Sequence, residues 1–278
     1  MRRAQAPFLS RWNGRLRALL GAAHAGPALA VTLLAGLLAS TFDVSAARAS
    51  LILAAVLAGQ LSVGWSNDLI DVARDRIAGH TDKPLATDAI SERAVRCACG
   101  LASAATVPLS LACGPLAAIA HLSGLVAGWL YNLGLKSTVW SWLPYAVAFA
   151  GLPVFVSLAS PVAAMPPTWM PASAALLGVG AHFVNVLPDF DADALTGVRG
   201  LPHRIGARWT RQIAALVLVL ASVVIVFGAP VNSGSVAGIS LAMVGMLAVV
   251  ALVGSGSLPF RAAIAIALVD VAMLLWGR

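Results

Sequence analysis

Nine apolar blocks, each long enough to cross a lipid bilayer, constrain this chain more than any other feature of its sequence. They occupy residues 18–40, 46–66, 91–112, 115–134, 140–160, 170–188, 210–229, 234–254 and 257–276. A transmembrane helix needs about 20 predominantly apolar residues, and within the hydrocarbon core it satisfies its own backbone hydrogen bonds. The sequence therefore predicts an all-α integral membrane protein with nine transmembrane helices.

The composition excludes an ordinary water-soluble domain. Apolar residues make up 60% of the 278 residues and charged residues only 10%, whereas soluble domains carry roughly 25% charged residues. Nothing between the blocks resembles a separate soluble domain. We interpret residues 1–278 as one polytopic membrane domain.

Basic residues predict the orientation of the chain, because cytoplasmic loops of membrane proteins carry an excess of Lys and Arg. Residues 1–17 form a basic segment without a compact apolar region and cleavage site, so we interpret it as a cytoplasmic anchor. With nine crossings from there, 16 of the 18 basic residues are cytoplasmic, and only Arg48 and Arg278 are outside. The predicted location is the plasma membrane of a bacterium. The net charge of +7 then suits anionic membrane lipid and a polyanionic substrate, and it requires no nucleic acid.

Nine of the 11 acidic residues fall in two of the predicted cytoplasmic segments, six between Asp68 and Glu92 and three between Asp189 and Asp193. The stretch from Asn67 to Asp75, which we call the first acidic segment, closes the second apolar block. If the helix continues through it, Asn67, Asp71 and Asp75 recur at i, i+4 and i+8, with Asp68 beside them. Like charges at the C-terminal end of a helix repel one another and oppose the macrodipole, so a bound cation is expected. Carboxylate and amide oxygens suit Mg²⁺ or Mn²⁺; the alternative is a solvated helix end with surface acids.

The second acidic segment repeats the first at an offset of 118 residues. Five positions with polar or turn-forming residues are identical: Asn67 and Asn185, Asp71 and Asp189, Asp75 and Asp193, Gly79 and Gly197, Pro84 and Pro202. The offset spans four apolar blocks, so both copies enter the cytoplasm with the same polarity, as in a parallel internal repeat. The two stripes are expected to face each other across a central cavity, with a diphosphate and Mg²⁺ ions between them. Pro188 is expected to kink or end the second helix.

These segments resemble the two motifs of UbiA-type membrane prenyltransferases. Asn67 to Asp75 has the Asn-Asp-x-x-Asp-x-x-x-Asp form of the first motif, and Lys83-Pro84-Leu85 is similar to the step that follows it. The segment from Asn185 to Gly206 is similar to the second motif. Tyr131 and Lys136 resemble the Tyr and Lys that family members carry after the fourth helix. The resemblance implies nine helices around a central cavity that opens sideways to lipid.

The resemblance also implies roles for individual residues. One Mg²⁺ would be held by the first motif and another by the second: Asn67, Asp68, Asp71 and Asp75 for one ion, and Asn185, Asp189 and Asp193 for the other. Lys136, Lys83 and Arg199 would contact the diphosphate, and Tyr131 would orient it. The predicted catalytic residues are Asp71, Asp75, Asp189, Asp193 and Lys136. Two positions depart from the family pattern, since Val186 stands where some members have an acid and Ser137 follows Lys136 in place of Arg.

Together these features predict a Mg²⁺-dependent intramembrane prenyltransferase. It would ionise an isoprenyl diphosphate, release pyrophosphate and transfer the prenyl group to an aromatic or lipid-like acceptor. A terpene cyclase that uses the same ionisation site without an acceptor is an open alternative. A secondary transporter is an alternative from another class, but its acids should lie near the bilayer midplane. Asp270, inside the last block, is expected to make a polar contact within the bundle or to have a proton- or substrate-related role.

Overall fold

The computed structural model describes residues 8–229 and 234–276, with side chains described at 14–229 and 234–272. Its α-helices in chain order are α1 (Phe8–Ala22), α2 (Ala25–Thr41), α3 (Ala46–Ala78), α4 (Glu92–Ala112), α5 (Pro115–Leu133), α6 (Leu143–Leu158), α7 (Trp169–Val186), α8 (Phe190–Leu195), α9 (Leu201–Ile205), α10 (Ala207–Gly228), α11 (Gly234–Val253) and α12 (Leu258–Trp276). A 3₁₀ turn at Leu135–Ser137 follows α5. These described ranges contain no strand, so the predicted all-α fold is confirmed.

Each predicted apolar block corresponds to one long helix, from α2 to α7 and from α10 to α12. By length and apolarity alone, five of the described helices could cross a membrane, or six if a bent pair counts as one crossing. Large apolar side chains such as Leu101 and Phe227 are 73% and 85% exposed, which suits contact with lipid tails. The chain is therefore a polytopic membrane bundle, and nine crossings remain a prediction.

The first predicted span, residues 18–40, is wrong at its start. The helix axis turns by 70° between Gly14–Ala22 and Ala25–Thr41. His24 at the bend has a φ of 50°, in the left-handed region that interrupts a helix. Helix α1 thus lies at a steep angle to α2, and its exposed Leu16 and Leu20 suit a helix in the membrane interface. Residues 8–17 of the basic segment belong to this helix, whereas residues 1–7 lie outside the described part.

Contacts with α3 hold the bend in place. The Trp65 indole Nε1 donates a hydrogen bond of 2.9 Å to the Leu19 carbonyl oxygen. One turn of α3 also touches the bend directly, because a Cβ added to Gly64 would lie 2.1 Å from the Ala23 carbonyl oxygen. Only glycine therefore permits this approach of the two backbones.

We expect Gly64→Ala to lower the free energy of unfolding by about 1–3 kcal/mol, because the added methyl group must push the bend away from α3. Thermal unfolding of the detergent-solubilised protein measures the effect. The matched control is Gly100→Ala in α4, where an added Cβ has nothing within 4 Å. Equal melting temperatures for the two variants would contradict the close contact.

Helix α3 continues through the first acidic segment and ends at Gly79. The φ of Gly79 is 73°, a left-handed conformation that favours glycine at a helix C-terminus. Asn67, Asp71 and Asp75 therefore occupy successive turns of one helix, as the spacing predicts.

The second acidic segment has a different local structure, as Pro188 predicts. Helix α7 ends at Val186, and the short helix α8 begins at Phe190. Asn185 lies in the last turn of α7, Asp189 in the break and Asp193 in α8. The two segments share their sequence spacing but not their backbone geometry, because proline cannot donate a backbone hydrogen bond within a helix.

Small residues let the helices around the second segment approach closely. Helix α7 packs against α6, α10 and α12, and α3 packs against α2, α4 and α5. A Cβ on Gly178 of α7 would lie 2.5 Å from the Tyr145 carbonyl oxygen of α6. Such contacts are typical of membrane helices, where packing rather than water exclusion drives association. The walls of one cavity come from both groups of helices.

Candidate active site

A cavity of about 400 Å³ lies between the helices and has a polar end and an apolar end. Residues of both acidic segments line the polar end, together with both lysines and both tyrosines of the chain: Asn67, Asp71, Lys83, Tyr131, Lys136, Tyr145, Asn185, Asp189 and Asp193. Leu34, Val56, Phe149 and Leu177 are among the apolar side chains that line the rest. An amphiphile with a compact polyanionic head and a long hydrocarbon chain would match both ends.

The first segment contributes Asp71, which is buried between two cations. Lys136 Nζ lies 2.7 Å from Asp71 Oδ1 and 2.6 Å from Oδ2, and only 7% of Lys136 is exposed. The guanidinium of Arg74, one turn along α3, also contacts Asp71. The amide oxygen of Asn67 lies 3.4 Å from Lys136 Nζ. The 3₁₀ turn after α5 therefore brings Lys136 onto the acidic stripe of α3.

The other two acids of this segment lie beside the cavity rather than on its wall. Asp68 is buried, and its Oδ1 is 3.1 Å from His24 Nε2 at the α1–α2 bend. Within the described part of the chain, the second oxygen of Asp68, Oδ2, is buried without a hydrogen-bond partner. Asp75 is also buried and accepts a hydrogen bond of 2.9 Å from Lys83 Nζ. The partners His24 and Lys83 both line the cavity. Asp68 and Asp75 therefore lie behind the cavity wall and contact residues that form it.

The second segment faces the first across this space. Asn185 and Asp189 are exposed at the cavity mouth, while Asp193 is partly buried. Burial, and then the neighbouring Asp189, raise the pKa of Asp193 to about 6, while Arg74 and Lys136 act in the opposite direction. That opposing influence of cations beside the first segment places Asp193 near them.

Two tyrosines and a histidine stand between the polar and apolar ends. The rings of Tyr131 and Tyr145 are 5.3 Å apart and nearly perpendicular. His182, which is buried, lies 5.7 Å from Tyr131 and 4.9 Å from Tyr145 by ring centroids. Asn185 Nδ2 donates a hydrogen bond of 3.3 Å to Tyr145 Oη. Tyr131 thus lines the same cavity as the acidic segments, and Tyr145 connects it to the second segment.

Arg199 is not part of this arrangement. Its side chain is exposed and does not line the cavity, although its carbonyl oxygen accepts a hydrogen bond of 3.0 Å from Arg204 Nε. The geometry gives no support to a diphosphate contact from Arg199.

Three cavity-side residues were not predicted from the sequence: His24, Arg74 and Tyr145. Arg74 had a local signal, because it follows Asp71 by three residues on a helix, which is the spacing of neighbouring side chains. Tyr145 had a weaker one, as one of only two tyrosines. His24 had none, since its contact with Asp68 spans 44 residues and depends on the bend.

The donor set at the polar end fits a hard divalent cation. Its ligands would be carboxylate and amide oxygens, which suit Mg²⁺, and adjacent Asp189 and Asp193 carboxylates gain from a cation between them. Within the described side chains, no three His, Cys, Asp or Glu residues converge into a preformed metal site. Mg²⁺ typically takes one or two carboxylates and completes its shell with water and substrate phosphate oxygens. The two segments therefore fit a metal that binds together with a diphosphate.

The fold and the cavity define a class: a polytopic membrane protein with a polyanion site opening into an apolar chamber. Comparison with known proteins gives the family. Residues 28–276 match the model of the UbiA prenyltransferase family, and the chain belongs to that family. It is thus a membrane enzyme of the prenyltransferase class.

Individual relatives agree with this assignment. The chain is 29% identical over 207 residues to the bacteriochlorophyll synthase 33 kDa chain of Cereibacter sphaeroides, covering 69% of this chain and 68% of the relative. The apo structure of a UbiA homologue from Aeropyrum pernix K1 has a TM-score of 0.72 at 17% identity, covering 94% of this chain and 98% of the other. A UbiA homologue from Archaeoglobus fulgidus, bound to GPP and Mg²⁺, has a TM-score of 0.69 at 16% identity, covering 93% and 99%. These structures show that the fold is shared.

Proposed function

We propose that this protein transfers an isoprenyl group from an isoprenyl diphosphate to an aromatic or lipid-like acceptor in a Mg²⁺-dependent reaction that releases pyrophosphate. One observation carries the proposal: both acidic segments and both lysines line the polar end of a single cavity whose other end is apolar. The Archaeoglobus homologue bound to GPP and Mg²⁺ supports the choice of donor and metal.

Five oxygen-bearing side chains on the cavity wall would hold the metal ions: Asn67, Asp71, Asn185, Asp189 and Asp193. When bound, Mg²⁺ supplies positive charge that offsets the negative charge developing on the leaving pyrophosphate. Asp68 and Asp75 would support the site indirectly, by holding His24 and Lys83 at the cavity.

The protein's own groups would divide the remaining work. The ammonium groups of Lys136 and Lys83 lie at the polar end, where they would bind the diphosphate oxygens. The faces of Tyr131 and Tyr145 would stabilise a cation that forms at the first carbon of the donor. Apolar walls such as Phe149 and Leu177 would keep water from that cation until the acceptor attacks.

The acceptor and the orientation belong to the proposal as well. The relative named bacteriochlorophyll synthase favours a tetrapyrrole as the first acceptor to test, followed by quinone precursors and glycerol-based lipids. The distribution of basic residues favours an orientation in which the polar end of the cavity faces the cytoplasm, in the plasma membrane of a bacterium. Asp71 and Asp75 lie in the last two to three turns of α3, near a helix end, unlike the midplane acids expected of a transporter.

We expect purified protein to release pyrophosphate from an isoprenyl diphosphate only when Mg²⁺ is present. EDTA should reduce the rate to background, because the acidic segments then lack the charge that binds the diphosphate, and excess Mg²⁺ should restore it. Analysis of the products formed without an acceptor distinguishes prenyl transfer from terpene cyclisation, because a cyclic hydrocarbon would indicate a terpene cyclase. A rate unaffected by EDTA across all donors would refute metal-dependent ionisation.

A further inference from the structure

A smaller cavity of about 60 Å³ adjoins the main cavity on the side away from the acidic segments. We call it the distal pocket. The two cavities share five lining residues: Leu34, Phe149, Leu152, Leu177 and Ala267. Along α7, the lining runs from Asn185 in the main cavity through Leu177 to Met170 in the distal pocket. A path along α7 would therefore lead from the polar mouth past Leu177 to the distal pocket.

The distal pocket contains one acidic residue among mostly apolar walls. Asp270 of α12 is 1% exposed, and its Oδ2 accepts a hydrogen bond of 3.1 Å from Ser222 Oγ of α10. Its other oxygen, Oδ1, is buried and has no hydrogen-bond partner among the side chains that the structure describes. Ser173, which also lines the pocket, donates its hydroxyl to the Met170 carbonyl oxygen at 3.0 Å. An acid buried in a membrane bundle is costly and generally marks a function.

The length of the path can be compared with the length of an isoprenyl chain. Asn185 and Met170 are 15 residues apart on α7, which corresponds to about 22 Å at a rise of about 1.5 Å per residue. An extended isoprene unit adds four backbone bonds, or about 5 Å. This distance matches about four isoprene units, roughly twenty carbons, between the mouth and the distal pocket.

Resting on the proposed function, we propose that the distal pocket receives the end of the isoprenyl chain and that Asp270 is a polar stop that limits the donor's length. A chain of about four units ends before the carboxyl group. A longer chain presses hydrocarbon against the unpaired oxygen, which cannot be compensated by a hydrogen bond. Asp270 thus determines specificity without contacting the reacting atoms.

Filling the pocket tests its role in binding the chain. Donors of 10, 15, 20 and 25 carbons are compared by kcat/KM for pyrophosphate release. In Ala174→Leu, the larger side chain enters the distal pocket, and the optimum should move from 20 to 15 carbons, with about a tenfold or greater loss for the longer donor. The matched control is Ala172→Leu, two residues away on the exposed face of α7, which should keep the wild-type profile.

Changing the acid tests the stop itself. Asp270→Leu removes the polar group and should raise the ratio of kcat/KM for the 25-carbon donor over the 20-carbon donor about tenfold. Asp270→Asn keeps a polar group of the same shape and should retain the wild-type ratio. If Asp270→Leu does not fold, Asp270→Ala removes the same polar group and measures the same ratio.

The outcomes separate the two proposals. If the protein releases pyrophosphate from none of the donors, the proposed function is overturned. Normal release with a length profile unchanged in Ala174→Leu would overturn the distal pocket as the site of the chain end. An unchanged ratio in folded Asp270→Leu would overturn the polar stop.

Discussion

Asp71→Ala and Asp189→Ala should each reduce Mg²⁺-dependent pyrophosphate release by at least about 10³-fold, equivalent to about 4 kcal/mol of transition-state stabilisation. Each change removes a carboxylate from one of the two segments that line the polar end of the cavity. Neither segment alone offers enough oxygen ligands to bind the metal ions together with the diphosphate. We therefore expect the two single variants to be similarly inactive. Initial rates measured at saturating Mg²⁺ test this expectation.

Asp191 provides the matched control for the second segment. It lies between Asp189 and Asp193 in the sequence, but it is exposed and does not line the cavity. Asp191→Ala should therefore retain the wild-type rate within about twofold, a difference of less than about 0.5 kcal/mol. Full activity in Asp71→Ala or Asp189→Ala would falsify the two-segment site.

Lys136→Met should cause the second large loss, affecting both activity and stability. The change removes the ammonium group 2.6 Å from Asp71 Oδ2, so a buried carboxylate loses one of its two cationic partners. Breaking a buried ion pair costs about 3–5 kcal/mol, and the remaining Arg74 should reduce that cost. Pyrophosphate release should fall by about 10²-fold or more, since the same ammonium group would bind the diphosphate. The rate assay and thermal unfolding measure the two effects separately.

Two further variants identify the cause of the Lys136 effect. Arg93→Met removes the same single charge from an exposed position and should leave both quantities unchanged. Lys136→Arg keeps the charge, but the broad guanidinium group does not fit a buried site built for an ammonium group, so it should restore little activity. Wild-type activity in Lys136→Met would contradict a role in binding the diphosphate.

Helix positions were predictable because hydropathy acts over a local stretch of the chain. The structure places a helix at each predicted apolar block, and α3 continues through the acidic segment as the spacing of Asn67, Asp71 and Asp75 requires. The start of the first block was not predictable, because apolar residues run through the bend at His24. The bend depends on Gly64 and Trp65 of α3, which lie some 40 residues further along the chain.

The sequence predicted which residues belong to the site better than it predicted which of them contact one another. Eight predicted residues line the cavity: Asn67, Asp71, Lys83, Tyr131, Lys136, Asn185, Asp189 and Asp193. Asp68 and Asp75 share the motif spacing of Asp71, yet the hydrogen bond of Asp68 with His24 and the ion pair of Asp75 with Lys83 hold them behind the cavity wall. A helical repeat indicates which face a residue occupies, whereas the identity of its neighbour depends on which helix packs there.

The sequence by itself determined the membrane-bundle class, the acidic stripe on α3 and the break at Pro188, because each depends on residues close together in the chain. Only the tertiary structure decided that Lys136 meets Asp71, 65 residues away, and that Asp270 lines a pocket that adjoins the main cavity. Those arrangements follow from how closely the helices pack, and the small residues that permit this packing carry no hydropathy signal of their own.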